Sequence, residues 1–249
     1  MTALTGFHAI EEYLRSRAAA KGEAAQGIGS PRLMVSGSGP RIKEILALAA
    51  RLGLKVERVS KAELDRLAPG NRGIALEAGD LETGEEADLD TFVLDPPARS
   101  LVILLDHIED PQNLGAILRS ADVFAADLVL APRRRSAPLT DAAAKASAGA
   151  AAYAPLAFVP NLSEALRKLK KAGFWLYAAD MGGSSLVDAG LAERAVLALG
   201  NEGAGLSRLI RDDCDFALSI PMAGHVDSLN VSASAAIMMY EYRRRWPAV

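Results

Sequence analysis

The chain has 249 residues, half of them hydrophobic, with 28 lysines and arginines against 31 aspartates and glutamates and a formal net charge of -3. That length and apolar content allow a full core and two modest domains, and the slight acidity excludes the overall basic surplus that marks many nucleic-acid binders, so any such role falls to local clusters. The single cysteine, Cys214, excludes an internal disulfide and reads as a buried core thiol, while the lack of a signal-type apolar core or a membrane-length run leads us to expect a cytoplasmic protein with no membrane association.

The first 79 residues alternate helix and strand on a small scale. Ile10, Tyr13 and Leu14 make one face of a first helix, Leu33 to Val35 a strand, Ile42 to Leu52 a helix closed by Gly53, and Leu54 to Val59 another strand. Ser60 then caps a short helix through Leu67, and Gly73 to Glu77 reads as a further strand, so a compact α/β/α unit is expected over residues 1–79. Lys21 to Ser30, rich in Gly, Ala and Ser, reads as a loop. The acidic stretch GDLETGEEA reads as a linker, placed at residues 80–88, leading to a second domain over residues 89–249.

That domain opens after Pro96 and Pro97 with a strand from Leu101 to Leu105. Asp110 follows as N-cap and Pro111 as first residue of a helix that turns Ile117, Leu118 and Ala121 inward. Asn113 and Arg119 in this helix are six residues apart, roughly 9 Å along the axis and about 120° around it, so they point to different faces. A strand from Asp127 to Ala131 ends at Pro132. Arg133-Arg134-Arg135 therefore lies on a loop at a strand's carboxyl end, where open α/β sheets bind ligands. Further strands fit at Phe174 to Ala179, Ala195 to Leu199 and Asp215 to Ile220, and helices at Thr140 to Ser147, Ser163 to Ala172 and Leu206 to Asp212; Ser184 to Ala192 reads as irregular. The alternation implies a mostly parallel sheet with flanking helices. Two more basic clusters, Arg167 to Lys171 and Arg243-Arg244-Arg245, read equally as solvated faces.

Two stretches share one pattern of strand, glycine-containing turn and helix start: Leu199-Gly-Asn-Glu-Gly-Ala-Gly-Leu-Ser207 and the segment from Ser219 to Ala236. In the second, Pro221 ends the strand, and Val231, Ala235, Met238 and Tyr242 recur at helical spacing. Asn230 therefore stands near a helix N-terminus, whose free N–H groups suit a polar or anionic ligand; a plain capping role for Asn230 or Ser228 is the alternative. The glycines of the first stretch lack G-x-G-x-x-G order, which disfavours a dinucleotide site. His107 and His225 flank these stretches without metal-ligand spacing, and no metal site is expected.

Three stretches, Asn113 to Ala121, Leu199 to Ser207 and Ile220 to Ser232, resemble in order the three motifs of the SpoU family of 2′-O-ribose RNA methyltransferases. Lys145-Ala-Ser-Ala-Gly149 also resembles a family element. Upstream, Gly6 to Leu14 and Asn71-Arg-Gly-Ile74 resemble the L30e-like substrate-binding domain of the family's bacterial 23S rRNA guanosine-2′-O-methyltransferases. At Phe124-Ala125-Ala126-Asp127 the chain departs from the family, which usually has a glycine after the aromatic residue. The resemblance implies a carboxyl-terminal trefoil-knotted SPOUT domain of α/β class, S-adenosylmethionine as cofactor, RNA as partner (23S rRNA ahead of tRNA, with a non-catalytic ribosome-assembly factor as the remaining alternative) and no metal. It implies a catalytic site of Arg119, Asn113, Glu202, Ser228 and Asn230. The implied cofactor site comprises Leu199, Gly200, Asn201, Gly203, Ile220, Met222, Ser228 and Leu229, where Gly would allow close backbone approach and aliphatic side chains would cover the adenine ring. Arg119, permanently charged, suits phosphate clamping and stabilisation of a developing alkoxide. A homodimer is also implied, with the helix from Asn230 to Trp246 at the interface, because Met238, Met239, Tyr240, Tyr242 and Trp246 offer more apolar surface than one helical face needs.

Overall fold

The computed structural model describes residues 3–19, 31–77, 87–134, 136–137, 143, 146–147, 150, 154–225 and 228–247. The expected loop at Lys21 to Ser30 and the acidic linker up to residue 86 lie outside these residues, as do Arg135, Lys145, Gly149 and most of the helix expected from Thr140 to Ser147.

The amino-terminal unit is a four-stranded sheet in the order β1 (Ala3–Leu4), β4 (Ile74–Glu77), β2 (Arg32–Val35), β3 (Lys55–Arg58). β2 runs parallel to β3, and β4 runs antiparallel to both β1 and β2. Side chains alternate across a strand, and the two faces differ accordingly. Leu33, Val35, Ile74 and Leu76 pack under helices α1 (Phe7–Ala19) and α2 (Pro40–Arg51). Met34 and Ala75 face Leu64 of α3 (Lys61–Leu67), whose N-cap Ser60 accepts from the Glu63 amide. The expected α/β/α layering is therefore present.

The second unit is a six-stranded, wholly parallel sheet in the order β10 (Phe216–Ser219), β8 (Trp175–Ser185), β9 (Arg194–Gly200), β5 (Ser100–Asp106), β6 (Leu128–Pro132), β7 (Leu156–Val159). The central strands β5 and β9 are apolar on both faces because helices cover both. On one face Leu101, Ile103, Leu105 and Leu197 meet α5 (Pro111–Val123) and the terminal helix α8 (Val231–Arg245). On the other, Val102, Leu104, Val196 and Ala198 meet α6 (Leu162–Lys171) and α7 (Arg208–Asp213), beside the short α4 (Leu89–Phe92). The chain leaves β5 for the first face and β9 for the second, and these two strands are neighbours. Their carboxyl ends, where Asp106 pairs with Gly200, form the switch point at which such sheets open a crevice.

Four particulars differ from the sequence expectations. β1, α4 and β7 were not foreseen, and β8 continues to Ser185 through the Gly182-Gly183 pair. It does so by leaving its register with β10 between Ala217 and Leu218, and a Cβ on Gly183 would lie 2.4 Å from the Ala217 carbonyl carbon. The terminal helix also spends its apolar residues internally. Met238, Met239 and Tyr242 are buried, and Trp246 Nε1 donates to the Leu191 carbonyl, which leaves Ile237 and Tyr240 as its exposed large apolar side chains.

Candidate active site

Three polar side chains from three separate loops meet at the switch point. Asn113, in the first turn of α5, is brought there by the Asp110 cap, which accepts from the Gln112 amide, and by Pro111 behind it. Its Nδ2 donates to Glu202 Oε1 at 2.9 Å. Asn230, the N-cap of α8, donates through its own Nδ2 to Asn113 Oδ1 at 2.9 Å and to Glu202 Oε1 at 2.5 Å, while its Oδ1 accepts from the Ser232 amide and hydroxyl. The capping role foreseen as one alternative for Asn230 is present. One carboxylate oxygen of Glu202 accepts from both carboxamides, and the other has no hydrogen-bond partner among the described residues.

The loop carrying Glu202 is tied down from below. Asn201 and Gly205 exchange backbone hydrogen bonds at 3.1 and 2.9 Å. A Cβ on Gly200 would lie 2.1 Å from the Gly205 carbonyl carbon and 2.2 Å from the Leu206 nitrogen. Glycine is required at position 200 by this turn's own closure. Asn201 Nδ2 donates to the His107 carbonyl at 2.9 Å, and the Ser207 amide donates to Asp106 Oδ2 at 2.7 Å. Asp106 is 1% exposed, and its other oxygen faces His107 Nδ1. His107 itself has a φ of 59°, in the left-handed region. Sequence reasoning missed Asp106; the available signal was an acidic residue ending an otherwise apolar central strand.

Beside the three-residue cluster lies a cavity of about 340 Å³, lined by Ile220, Met222, Ser228 and Leu229 together with Asp180 and Met181 from β8. It shares the 220–229 loop with a second, more open hollow of about 550 Å³ that reaches His225 and Ile237. Apolar walls, exposed loop backbone and volumes in this range suit a nucleoside-sized ligand. Asp180 is fixed by the Gly182 amide and by Arg211 at 3.0 Å. Of the expected cofactor residues, Ile220, Met222, Ser228 and Leu229 surround this space, whereas Leu199 is buried in the core and Gly200, Asn201 and Gly203 belong to the neighbouring turn. Arg119 is not drawn into the Asn113 cluster. It lies exposed, and among the described residues it makes no hydrogen bond or ion pair, as its six-residue offset from Asn113 dictates.

The basic clusters divide. Lys168 pairs with Asp90 and Lys170 with Asp215. Arg244 and Arg245 grip Glu241, and Arg243 donates to the Phe124 and Ala125 carbonyls. Burial, opposed weakly by Lys170, pushes the Cys214 thiol up to about 12, so it is neutral and inert at pH 7. No group of acidic, His or Cys side chains able to hold a metal occurs among the described residues, and no described helix is long and apolar enough to cross a membrane.

Comparison with known proteins gives concordant results. Residues 100–240 match the model of the SpoU rRNA Methylase family, and residues 3–83 match that described as RNA 2′-O ribose methyltransferase substrate binding. A Staphylococcus haemolyticus protein, assigned to the TrmH family of tRNA/rRNA methyltransferases, is 42% identical over 211 residues, covering 82% of this chain and 84% of its own. A crystal structure described as an RNA 2′-O ribose methyltransferase is 27% identical and superposes with a TM-score of 0.77 over 99% of this chain and 89% of its own. An AdoMet-bound rRNA methyltransferase from Sinorhizobium meliloti, 22% identical, shares the fold at a TM-score of 0.76 over 99% of this chain and 88% of its own. With a catalytic-domain match spanning more than half its length and the three motif loops meeting at one sheet edge, the chain belongs to the SpoU rRNA methylase family of RNA methyltransferases.

Proposed function

We propose that this protein transfers a methyl group from S-adenosylmethionine to a ribose 2′-hydroxyl of RNA, with a guanosine of 23S rRNA as its target. The family is S-adenosylmethionine-dependent, and the 340 Å³ cavity beside the three-loop cluster fits that cofactor in size and lining. Residues 220–229 would hold it, supplying a methyl group on a sulfonium. The observation that carries the proposal is the meeting of Asn113, Glu202 and Asn230, one from each motif, with Asn230 directly following the cavity-lining Ser228 and Leu229.

The residues of the chain supply positioning and charge. A ribose hydroxyl is a poor nucleophile until its proton is drawn off, and bringing its oxygen to roughly 3 to 3.5 Å from the methyl carbon is the main service a site can offer. Glu202, held by two carboxamides, presents its unengaged oxygen as an acceptor for that hydroxyl. Ser228 lies on the adjoining loop. Arg119 clamps a phosphate next to the target ribose and stabilises the oxygen as it becomes anionic. Cys214 provides no covalent route, because its thiol is half-buried, neutral and outside all three motifs.

Residues 1–79 select the RNA, and the fold carries the family's trefoil knot. The protein acts in the cytoplasm as a homodimer, with exposed Ile237 and Tyr240 on the terminal helix available to the interface. Tritiated methyl incorporation into RNA from a strain lacking the gene tests the central proposal. The product should show one linkage protected from alkali, and a substrate with 2′-deoxyribose at the target should accept no methyl. Label that leaves with the base on depurination would place the methyl on the ring and refute it. Label appearing in tRNA alone would shift the target to the other class of RNA.

A further inference from the structure

On the opposite face of the switch point from Asn113, at the carboxyl ends of β5, β6 and β7, lies a separate cavity of about 300 Å³ whose lining includes none of Asn113, Glu202 and Asn230. Its lining includes Arg134, Ser163, Asn161, His107 and Ser207. Arg134 stands just beyond Pro132, which ends β6, and it is exposed with no hydrogen bond or ion pair among the described residues. The ten-residue helix α6 begins at this cavity. Its N-cap Asn161 accepts from the Glu164 amide, which leaves the first helical amides without an intrahelical acceptor.

An independent observation comes from Ser163. The residue is 5% exposed, lines the cavity, and its Oγ has no hydrogen-bond partner. A buried hydroxyl without a partner is costly, and in a native structure it asks for a missing ligand or water. The one carboxylate on the lining, Asp106, has both oxygens engaged, by the Ser207 amide and by His107. The unengaged groups are therefore a guanidinium, helix amides and a hydroxyl, all of them donors. Donors of this kind around a helix N-terminus are complementary to a tetrahedral oxyanion.

We propose that this cavity is a second RNA contact, binding a backbone phosphate of the substrate on the far side of His107 from the methylated ribose. The loop between the two sites is one piece, because Asn201 of the Glu202 turn holds the His107 carbonyl. A strand of RNA crossing the sheet edge would then be gripped on both faces, by Arg119 on one and by Arg134 with Ser163 on the other. This proposal rests on the assignment of RNA as substrate.

The test uses the full-length protein and unmethylated RNA from a strain lacking the gene, with binding measured across a salt series. Arg134→Ala should weaken binding about 5- to 10-fold at low salt and flatten the slope of log K against log salt by about 0.7 to 0.9, the contribution of one phosphate. Lys171→Ala, which removes an equal exposed charge at the other end of α6, should change affinity less than about twofold. Ser163→Ala should raise the melting temperature, since it removes an unpaired buried hydroxyl, yet weaken RNA binding about two- to threefold. Inorganic phosphate should raise the melting temperature of wild type and not of Arg134→Ala. An unchanged slope in Arg134→Ala, an equal loss in Lys171→Ala, or unaltered RNA affinity in Ser163→Ala would each overturn the proposal. Phosphate stabilisation without any RNA effect would also overturn it, by marking a free-anion site. Wild-type protein that binds RNA in this manner but transfers no methyl would refute the proposed activity and leave the phosphate contact standing.

Discussion

Arg119 and Glu202 carry opposite charges and are given opposite treatment by the fold. Glu202 is held by two carboxamides, whereas Arg119 is exposed and has no hydrogen-bond or ion-pair partner among the described residues. An exposed guanidinium is accessible to a substrate phosphate and can grip it bidentately. Arg119→Ala should therefore cut turnover by on the order of 100-fold or more while cofactor affinity by calorimetry stays within a few fold. A parallel loss of cofactor binding would instead place Arg119 at the cofactor. Cys214→Ser should leave methyl transfer within about twofold, because a thiol pushed up to about 12 by burial supplies neither nucleophile nor proton at neutral pH. A large loss of methyl transfer in a folded Cys214→Ser protein would overturn this.

At the scale of elements, the turn after α5 and the last turns of α8 support each other. Ala125 occupies the left-handed region at a φ of 49°, at the place where the family usually has glycine, and Arg243 of α8 caps the Phe124 and Ala125 carbonyls. A left-handed L-residue costs roughly 1 kcal/mol or more, so Ala125→Gly should stabilise the protein by about 0.5–1 kcal/mol in urea unfolding, net of the greater freedom glycine gives the unfolded chain. One turn back, hydrogen bonds from Arg244, reinforced by Arg245 against the cost of burial, hold the Glu241 carboxyl at about 2, below its usual 4.5. The folded value lies beneath the unfolded one, so this stabilisation is complete above about pH 4.5 and is lost as the pH falls toward 2. Glu241→Gln should cost about 1–2 kcal/mol at pH 7, a figure reduced because Arg244 is half exposed, and the difference from wild type should vanish near pH 2. These contacts explain what the sequence concealed. Arg243 reads as part of a basic patch because its carbonyl partners lie more than a hundred positions away at Phe124 and Ala125, whereas the Glu241 partner of Arg244 and Arg245 is local. Caps are local, and Ser60, Asp110 and Asn230 were accordingly legible. β7 was not, since four residues between Pro155 and Pro160 are too short to show a period, and the Gly182-Gly183 pair hides the continuation of β8.

At the scale of the molecule, the proposed function divides selection and chemistry between different sheets. All three motif loops and the cavity of residues 220–229 belong to the six-stranded sheet, while the four-stranded sheet contributes no residue to that cluster. The boundary matters for any test, because the Ala87 amide donates to the Leu156 carbonyl on the sheet's edge strand β7, and Asp88 caps α4. A truncation beginning at Leu89 would strip that edge and confuse lost packing with lost selection. A fragment that begins a few residues before Ala87 keeps both contacts. It should bind S-adenosylmethionine within a few fold of the full chain by calorimetry, since the cavity and the loops that shape it are intact. It should no longer methylate the native RNA, because the unit matching the substrate-binding description is gone. Adding back residues 1–79 as a separate chain should not restore methylation at micromolar concentration, because a covalent tether holds the two units at an effective concentration near millimolar. Undiminished methylation of native RNA by the fragment would return substrate selection to the catalytic sheet, where Arg119 and Arg134 would have to provide all of it.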